Sequence, residues 1–175
     1  MILALNAPTV ADIQHIGAVI AQHAQPGDLV MLTGPLGAGK TTMTQGIARG
    51  LGVTGAVSSP TFAIAQIHHG TDLDLVHVDA YRLTSIEELD ALDLDSSLED
   101  SLTVVEWGSG KAEVLSEDRI EVMIERPQGA QAGLEPEDLF ADAPRTIKVY
   151  AYGRRGEELQ HQLANDIADA TWQSA

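Results

Sequence analysis

The sequence predicts an α/β fold: a largely parallel sheet with flanking helices and one antiparallel hairpin. Three observations lead to this class. Apolar runs of strand length alternate with amphipathic helical patterns along most of the chain. A glycine-rich turn leads directly from a buried strand pattern into a helix, and two later strand patterns are separated by a three-residue turn. Continuous apolar strands are typical of parallel strands that helices cover on both faces.

The first third of the chain supplies a helix, a strand and a second helix. Residues 9–12, TVAD, form a capping box that opens the first helix, and Pro26-Gly27 ends it. Residues 29–33, LVMLT, are an apolar run and predict a buried parallel strand. The second helix stops at Gly52 and carries apolar residues on one face: Met43, Ile47 and Leu51.

The remaining elements follow in order. Residues 62–68 and 73–80 predict the hairpin, turned at Gly70-Thr71-Asp72. Ser85-Ile86-Glu87-Glu88 is a second capping box and opens a short helix. Three further strands and a C-terminal amphipathic helix that frays toward Ala175 complete the pattern: residues 102–105, 119–125 and 146–152, and the helix with Leu159, Leu163 and Ile167.

A length of 175 residues fits one domain. We predict that residues 1–126 form its core, which includes the glycine-rich turn. Residues 127–142 show little periodicity and contain two prolines and two glycines, which predicts a loop or insertion. Residues 143–175 would add a strand and a helix that complete the same domain.

Charge limits the possible partners. The chain has 26 Asp and Glu against 10 Lys and Arg, a formal net charge of −16. Such a surface repels phosphate backbones, so we expect no autonomous binding of nucleic acid. Two interpretations of the acidity stay open, namely that it keeps the protein in solution or that it steers a basic protein partner.

The absence of cysteine excludes disulfides, thiolate metal sites and cysteine nucleophiles. The N-terminus has no basic region and only a short apolar run, MILAL, so we expect no signal peptide. No apolar stretch approaches the ~20 residues that span a bilayer. These features predict a cytoplasmic protein without a membrane anchor.

The glycine-rich turn carries the strongest motif of the sequence. Residues 34–41, GPLGAGKT, match G-x-x-x-x-G-K-[ST] at every fixed position, between a buried strand and a helix. Glycines let the backbone curl so that its N–H groups face a phosphate, and the helix N-terminus adds its dipole. Lys40 would reach the β- and γ-phosphate oxygens, and the Thr41 hydroxyl would ligate Mg²⁺. The guanine-reading pattern N-K-x-D is absent, which favours ATP over GTP.

Two apolar strands end in a carboxylate. Residues 75–79, LVHVD, end at Asp79, and residues 102–106, LTVVE, end at Glu106. A phosphate-binding loop needs an acidic group at the end of a neighbouring strand, to hold Mg²⁺ directly or through water. From the residues alone, either carboxylate fits. The histidines nearby do not predict a metal site, since neighbouring strand residues point to opposite faces.

Three short motifs follow the loop: Ser59-Pro60-Thr61-Phe62, then residues 77–83, HVDAYRL, then Val105-Glu106-Trp107. In this order and at these distances they resemble the TsaE family, the bacterial ATPases needed to make threonylcarbamoyladenosine in tRNA. The resemblance covers residues 8–126. Trp107 is either an ordinary core or rim residue or one that orients Glu106 or contacts a partner.

The resemblance implies a role for individual residues. Thr41 and Glu106 would ligate Mg²⁺. Asp79 would lie near the γ-phosphate, either orienting water or supporting the outer shell of the metal, so that Lys40, Asp79 and Glu106 form the catalytic set. Residues 59–61 would be a switch loop that senses the γ-phosphate. Thr9 and its neighbours would lie against the adenine, and six residues would wrap the triphosphate: Gly37, Ala38, Gly39, Lys40, Thr41 and Thr42.

The resemblance also implies partners. The chain would act on an assembly of TsaD with TsaB, in which TsaD transfers the threonylcarbamoyl group to adenosine. Its ATP hydrolysis, slow alone, would reset that assembly between turnovers. Two alternatives remain: a small-molecule kinase and a nucleotide-gated binding protein that hardly hydrolyses ATP. A kinase of this kind needs an arginine-rich lid, whereas residues 85–118 hold only Lys111 as a basic residue.

Overall fold

A computed structural model describes residues 2–60, 63–92, 98–126 and 143–169. Seven strands lie within these residues: β1 Ile2–Ala7, β2 Leu29–Thr33, β3 Ala65–His68, β4 Asp74–Asp79, β5 Ser101–Glu106, β6 Arg119–Glu125 and β7 Arg145–Tyr152. They form one sheet in the order β1-β7-β6-β2-β5-β4-β3.

The centre of the sheet is parallel. Strands β6, β2, β5 and β4 are neighbours that all run the same way. Strand β3 pairs antiparallel with β4, and β7 pairs antiparallel with both β6 and β1. Because β1 therefore runs in the direction of β6, only β3 and β7 oppose the rest. The predicted α/β class, with its largely parallel sheet and its hairpin, is confirmed.

The helices are α1 Val10–His23, α2 Lys40–Gly50, α3 Ile86–Asp90 and α4 Gly153–Asp169, with short 3₁₀ turns at Ala80–Arg82 and Ala112–Leu115. The predicted capping box opens α1: the Thr9 hydroxyl accepts from the Asp12 N–H, and the Asp12 carboxylate accepts from the Thr9 N–H. Among the described residues, no helix is long and apolar enough to cross a membrane.

Strand β2 contributes side chains to two hydrophobic clusters, one on each face of the sheet. Val30 and Leu32 pack into the cluster that includes residues of α1, α2 and α4. Leu29 and Met31 pack into the cluster on the other face with residues of β4, β5 and α3. Side chains alternate between the faces of a strand, so burial on both faces explains why all four residues are apolar.

The structure corrects the expected elements in three places. Strand β1 was not predicted, since its partner is β7, which lies far along the chain. In the second capping box, Ser85 accepts from the Glu88 N–H, but the Glu88 carboxylate accepts from Thr84 instead of Ser85. The hairpin strands are shorter than predicted, at 65–68 and 74–79. The predicted insertion at 127–142 lies outside the described residues.

Candidate functional site

The phosphate-loop motif bridges β2 and α2 at the carboxyl end of the central strands. Gly34 has a φ of 144°, and a Cβ there would come within 2.4 Å of the Ile124 carbonyl oxygen. Gly39, the residue before α2, has a φ of 115°. Only glycine tolerates both the positive φ and this close approach, so the motif fits the loop for steric reasons.

The Lys40 side chain folds back over its own loop. Its ammonium donates to the carbonyl oxygens of Gly34, at 2.8 Å, and Pro35, at 2.9 Å, and lies 3.7 Å from the centre of the Trp107 ring. The residue is 5% exposed. Burial lowers the pKa of Lys40, and the negative charges of Glu106 and Asp79 oppose that shift.

Glu106 is a buried carboxylate at the end of β5, and it receives several donors. The Thr41 hydroxyl lies 3.0 Å from Oε1 and 3.1 Å from Oε2. The Thr44 hydroxyl, one turn further along α2, lies 3.4 Å from Oε1. The structure therefore joins Thr41 to Glu106, the two residues predicted to hold Mg²⁺.

His77 is a further partner of Glu106 that the sequence analysis did not assign to the site. Its Nε2 lies 2.8 Å from Glu106 Oε1, and its side chain is 0% exposed. The other ring nitrogen, Nδ1, is buried and has no hydrogen-bond partner among the residues that the structure describes. One signal could have found this residue: His77 precedes Asp79 by two positions, so both point to the same face of β4, which neighbours β5.

Asp79 stands at the same level as Glu106, because the two residues pair across β4 and β5. Its carboxylate accepts from the Ser59 hydroxyl at 2.5 Å and from the Tyr81 N–H at 3.1 Å. Ser59 belongs to the predicted switch loop, so the structure ties that loop to the second acidic strand end. Thr61, also part of that loop, lies outside the described residues.

Trp107 has an unusual backbone. Its φ is 61°, in the left-handed region that residues other than glycine rarely adopt, and its N–H donates to the Leu32 carbonyl of β2. The indole packs against the Tyr81 ring, with centroids 5.1 Å apart, as well as over the Lys40 ammonium. Trp107 therefore contacts two residues of the loop and strand ends, and its role toward Glu106 or a partner stays a prediction.

These residues surround a cavity of about 460 Å³ that is open to solvent. Most of the predicted site residues line it: Gly37, Gly39, Lys40, Thr41, Thr42, Asp79 and Glu106. The remaining lining residues are Leu36, Ser59, Tyr81 and Trp107. The first-turn amides of a helix have no partner inside the helix, so α2 presents free donors where the cavity begins. Such a cavity suits a phosphate group.

Two predicted ligand residues do not line this cavity. The Ala38 side chain is fully buried, its N–H donates to the Pro35 carbonyl, and its own carbonyl accepts from Arg145. Thr9 is exposed and its side chain is occupied by the capping box of α1. The contact between Thr9 and adenine stays a prediction, and Ala38 shapes the loop from behind.

The fold and the loop define the class: a P-loop α/β protein with paired acidic strand ends. The family model for the threonylcarbamoyl adenosine biosynthesis protein TsaE matches residues 7–132. The chain belongs to the TsaE family.

Named relatives agree with this assignment. A tRNA threonylcarbamoyladenosine biosynthesis protein TsaE from Streptomyces coelicolor is 54% identical over 145 residues, which are 81% of this chain and 92% of the relative. The Bacillus subtilis protein of the same name is 38% identical over 150 residues, 85% of each chain. The crystal structure of Bacillus subtilis YdiB is similar, with a TM-score of 0.75 and 31% identity over 95% of this chain and 97% of that one.

Proposed function

We propose that this protein is the ATPase of a tRNA-modifying assembly: it binds and hydrolyses ATP with Mg²⁺, and hydrolysis resets a TsaD–TsaB pair that makes threonylcarbamoyladenosine. The observation that carries the proposal is that Lys40, Thr41 and Glu106 line one cavity at the N-terminus of α2. The names of the relatives support the tRNA part.

The donors of the cavity match the chemistry of ATP with Mg²⁺. Lys40 supplies positive charge, and the amides at the start of α2 supply neutral donors for phosphate oxygens. The Thr41 hydroxyl and the Glu106 carboxylate are hard oxygen ligands, the kind that Mg²⁺ prefers. When bound, Mg²⁺ neutralises charge that develops on the transferred phosphoryl group.

The protein's own groups then have separate tasks. Lys40 leaves the carbonyls of Gly34 and Pro35 to contact the β- and γ-phosphates. Glu106 would hold the metal, while His77 and Thr44 orient the Glu106 carboxylate. Asp79 would orient the attacking water or support the metal from a distance.

The contact between Ser59 and Asp79 supports a switch. Its short hydrogen bond, 2.5 Å, joins the loop at Ser59 to the strand end that would face the γ-phosphate. A loop held by the γ-phosphate is released when hydrolysis removes that group. In this way ATP hydrolysis in the cavity changes a surface that TsaD or TsaB can contact.

Turnover measurements separate the proposal from its alternatives. We expect slow ATP hydrolysis by the protein alone, faster hydrolysis or altered ATP affinity with TsaD and TsaB from the same source, and loss of both responses in Glu106→Gln. Glu117→Gln, at an exposed position, is the matched control. Phosphorylation of a metabolite would favour the kinase alternative, and tight ATP binding without hydrolysis under any condition would favour the nucleotide-gated binding protein.

A further inference from the structure

Arg145, at the start of β7, is a buried arginine behind the phosphate loop. It is 3% exposed, and its Nε donates to the Ala38 carbonyl oxygen at 3.3 Å, across 107 positions of sequence. Another of its nitrogens donates to the Ala143 carbonyl. Burying a guanidinium is costly unless its donors are used. Arg145 uses two of its donors on backbone carbonyls, one of which belongs to the phosphate loop.

The geometry of the peptide bond determines what this contact does to the phosphate loop. In a trans peptide the carbonyl of one residue and the N–H of the next point in opposite directions. Arg145 draws the Ala38 carbonyl to the rear of the loop, so the N–H of Gly39 points away from Arg145. Gly39 lines the cavity, which places this N–H on the side where a phosphate would bind.

We infer that Arg145 is a positioning residue for phosphate binding: it orients the Ala38–Gly39 peptide so that the Gly39 N–H faces the ligand. The inference rests on the proposed function, since it concerns the same ATP site. It adds a residue from β7, a strand beyond the 7–132 region that the family model matches. Arg145 touches the loop and not the cavity, so it acts through Gly39.

A second contact makes the loop sensitive to this end of the sheet. Gly34 packs against the Ile124 carbonyl at the end of β6, the strand that pairs with β7. The first glycine of the loop thus lies close against β6, and Arg145 is hydrogen-bonded to the loop near its last glycine. A loop fixed at both ends keeps its amides preorganised, which raises affinity because less order is lost on binding.

Three variants test the inference. Arg145→Gln removes the positive charge and the planar guanidinium, and Arg145→Lys keeps the charge. Lys148→Gln is a matched control on the same strand, because the Lys148 ammonium pairs with Glu125 at 2.9 Å. We expect Arg145→Gln to weaken binding of both ATP and ADP by about tenfold, as for loss of one hydrogen bond to a charged group. Arg145→Lys should recover part of the loss, and Lys148→Gln should bind as the wild type does.

Two readouts separate positioning from plain stabilisation. In Arg145→Gln the amide NMR signal of Gly39 should shift, and kcat at saturating ATP should stay within about twofold of wild type, because the reacting groups themselves are unchanged. Wild-type-like ATP affinity in a folded Arg145→Gln variant, or an unmoved Gly39 signal, overturns the inference. Neither result affects the proposed function, which is tested by ATP binding, ATP hydrolysis and tRNA modification with the wild-type protein.

A measurement on the wild-type protein covers the case in which Arg145→Gln does not fold. The Nε–H proton of Arg145 should be protected from exchange with solvent, and its NMR signal should shift when ADP is added. A signal that exchanges rapidly, or that ADP leaves unmoved, overturns the positioning role.

Discussion

The imidazole of His77 and the carboxylate of Glu106 form a buried pair, with Nε2 and Oε1 2.8 Å apart and side chains that are 0% and 3% exposed. The pairing of β4 with β5 brings them together. Because His77 engages one oxygen of the carboxylate, it restricts how Glu106 can turn toward Thr41. Loss of a group that orients a metal ligand typically lowers metal affinity or activity by roughly 10–100-fold.

Replacing His77 should therefore impair the use of Mg²⁺. We expect His77→Leu to raise the Mg²⁺ concentration for half-maximal ATP turnover by about tenfold. His77→Gln keeps a donor and should lose less. A titration of turnover against Mg²⁺ measures both, with His69→Leu as the control, since that side chain is 84% exposed. An unchanged Mg²⁺ requirement in a folded His77→Leu protein would contradict the role of the pair.

Lys40→Ala should abolish tight ATP binding. The variant removes a positive charge that lines the cavity, and charge-assisted contacts of this kind contribute roughly 1.5–3 kcal/mol each. We expect the dissociation constant to rise by at least about tenfold. Isothermal titration calorimetry compares the variant with Lys148→Ala, which changes a lysine on β7. Equal affinity of Lys40→Ala and wild type would remove Lys40 from the site.

As the pH becomes alkaline, the affinity for ATP should begin to fall at a pH below the ordinary pKa of lysine, 10.5. Burial holds the pKa of Lys40 below its ordinary value of 10.5. As the pH rises through this lowered pKa, the free protein loses the ammonium that we propose as a phosphate ligand, so ATP should bind less tightly. Lys40→Ala has no such group, and its residual affinity should stay flat. The gap between the two proteins should close at alkaline pH, and a constant gap would contradict this account.

The contact between Arg155 and Asp28 should stabilise the fold without affecting ATP. Arg155 on α4 donates from Nε and from a terminal nitrogen to the two Asp28 oxygens, at 2.9 and 2.7 Å, beside the start of β2. The hydrogen bond with Asp28 raises the pKa of Arg155. We expect Arg155→Met to lose about 2–3 kcal/mol of stability, a fall in Tm of several degrees by thermal unfolding. Weaker ATP binding in this variant would show that α4 also acts on the site.

Local patterns in the sequence predicted much of the fold. The apolar run of β2 and the capping box of α1 depend on neighbouring residues, and the structure has both. Strand β1 depends on a partner at the other end of the chain, β7, and no local pattern reports such pairing. The same limit applies to Arg145, whose contact with Ala38 arises only when β7 joins the sheet.

The candidate site divides in the same way. The motif around Lys40 and Thr41 and the two acidic strand ends could be read directly, because each is a short pattern with a chemical reason. The contact between His77 and Glu106 needed the order of β4 and β5. The left-handed backbone of Trp107 leaves no signal in composition or periodicity.

The most direct test of the central claim is a reconstituted modification assay that counts threonylcarbamoyl groups transferred to tRNA for each TsaD. With purified TsaD, TsaB, ATP and the supply of the threonylcarbamoyl donor, wild-type protein should allow many transfers for each TsaD. The Glu106→Gln variant, or omission of the chain, should stop the reaction near a single round, while Glu117→Gln should behave as wild type. Equal numbers of rounds with and without the chain would contradict the account.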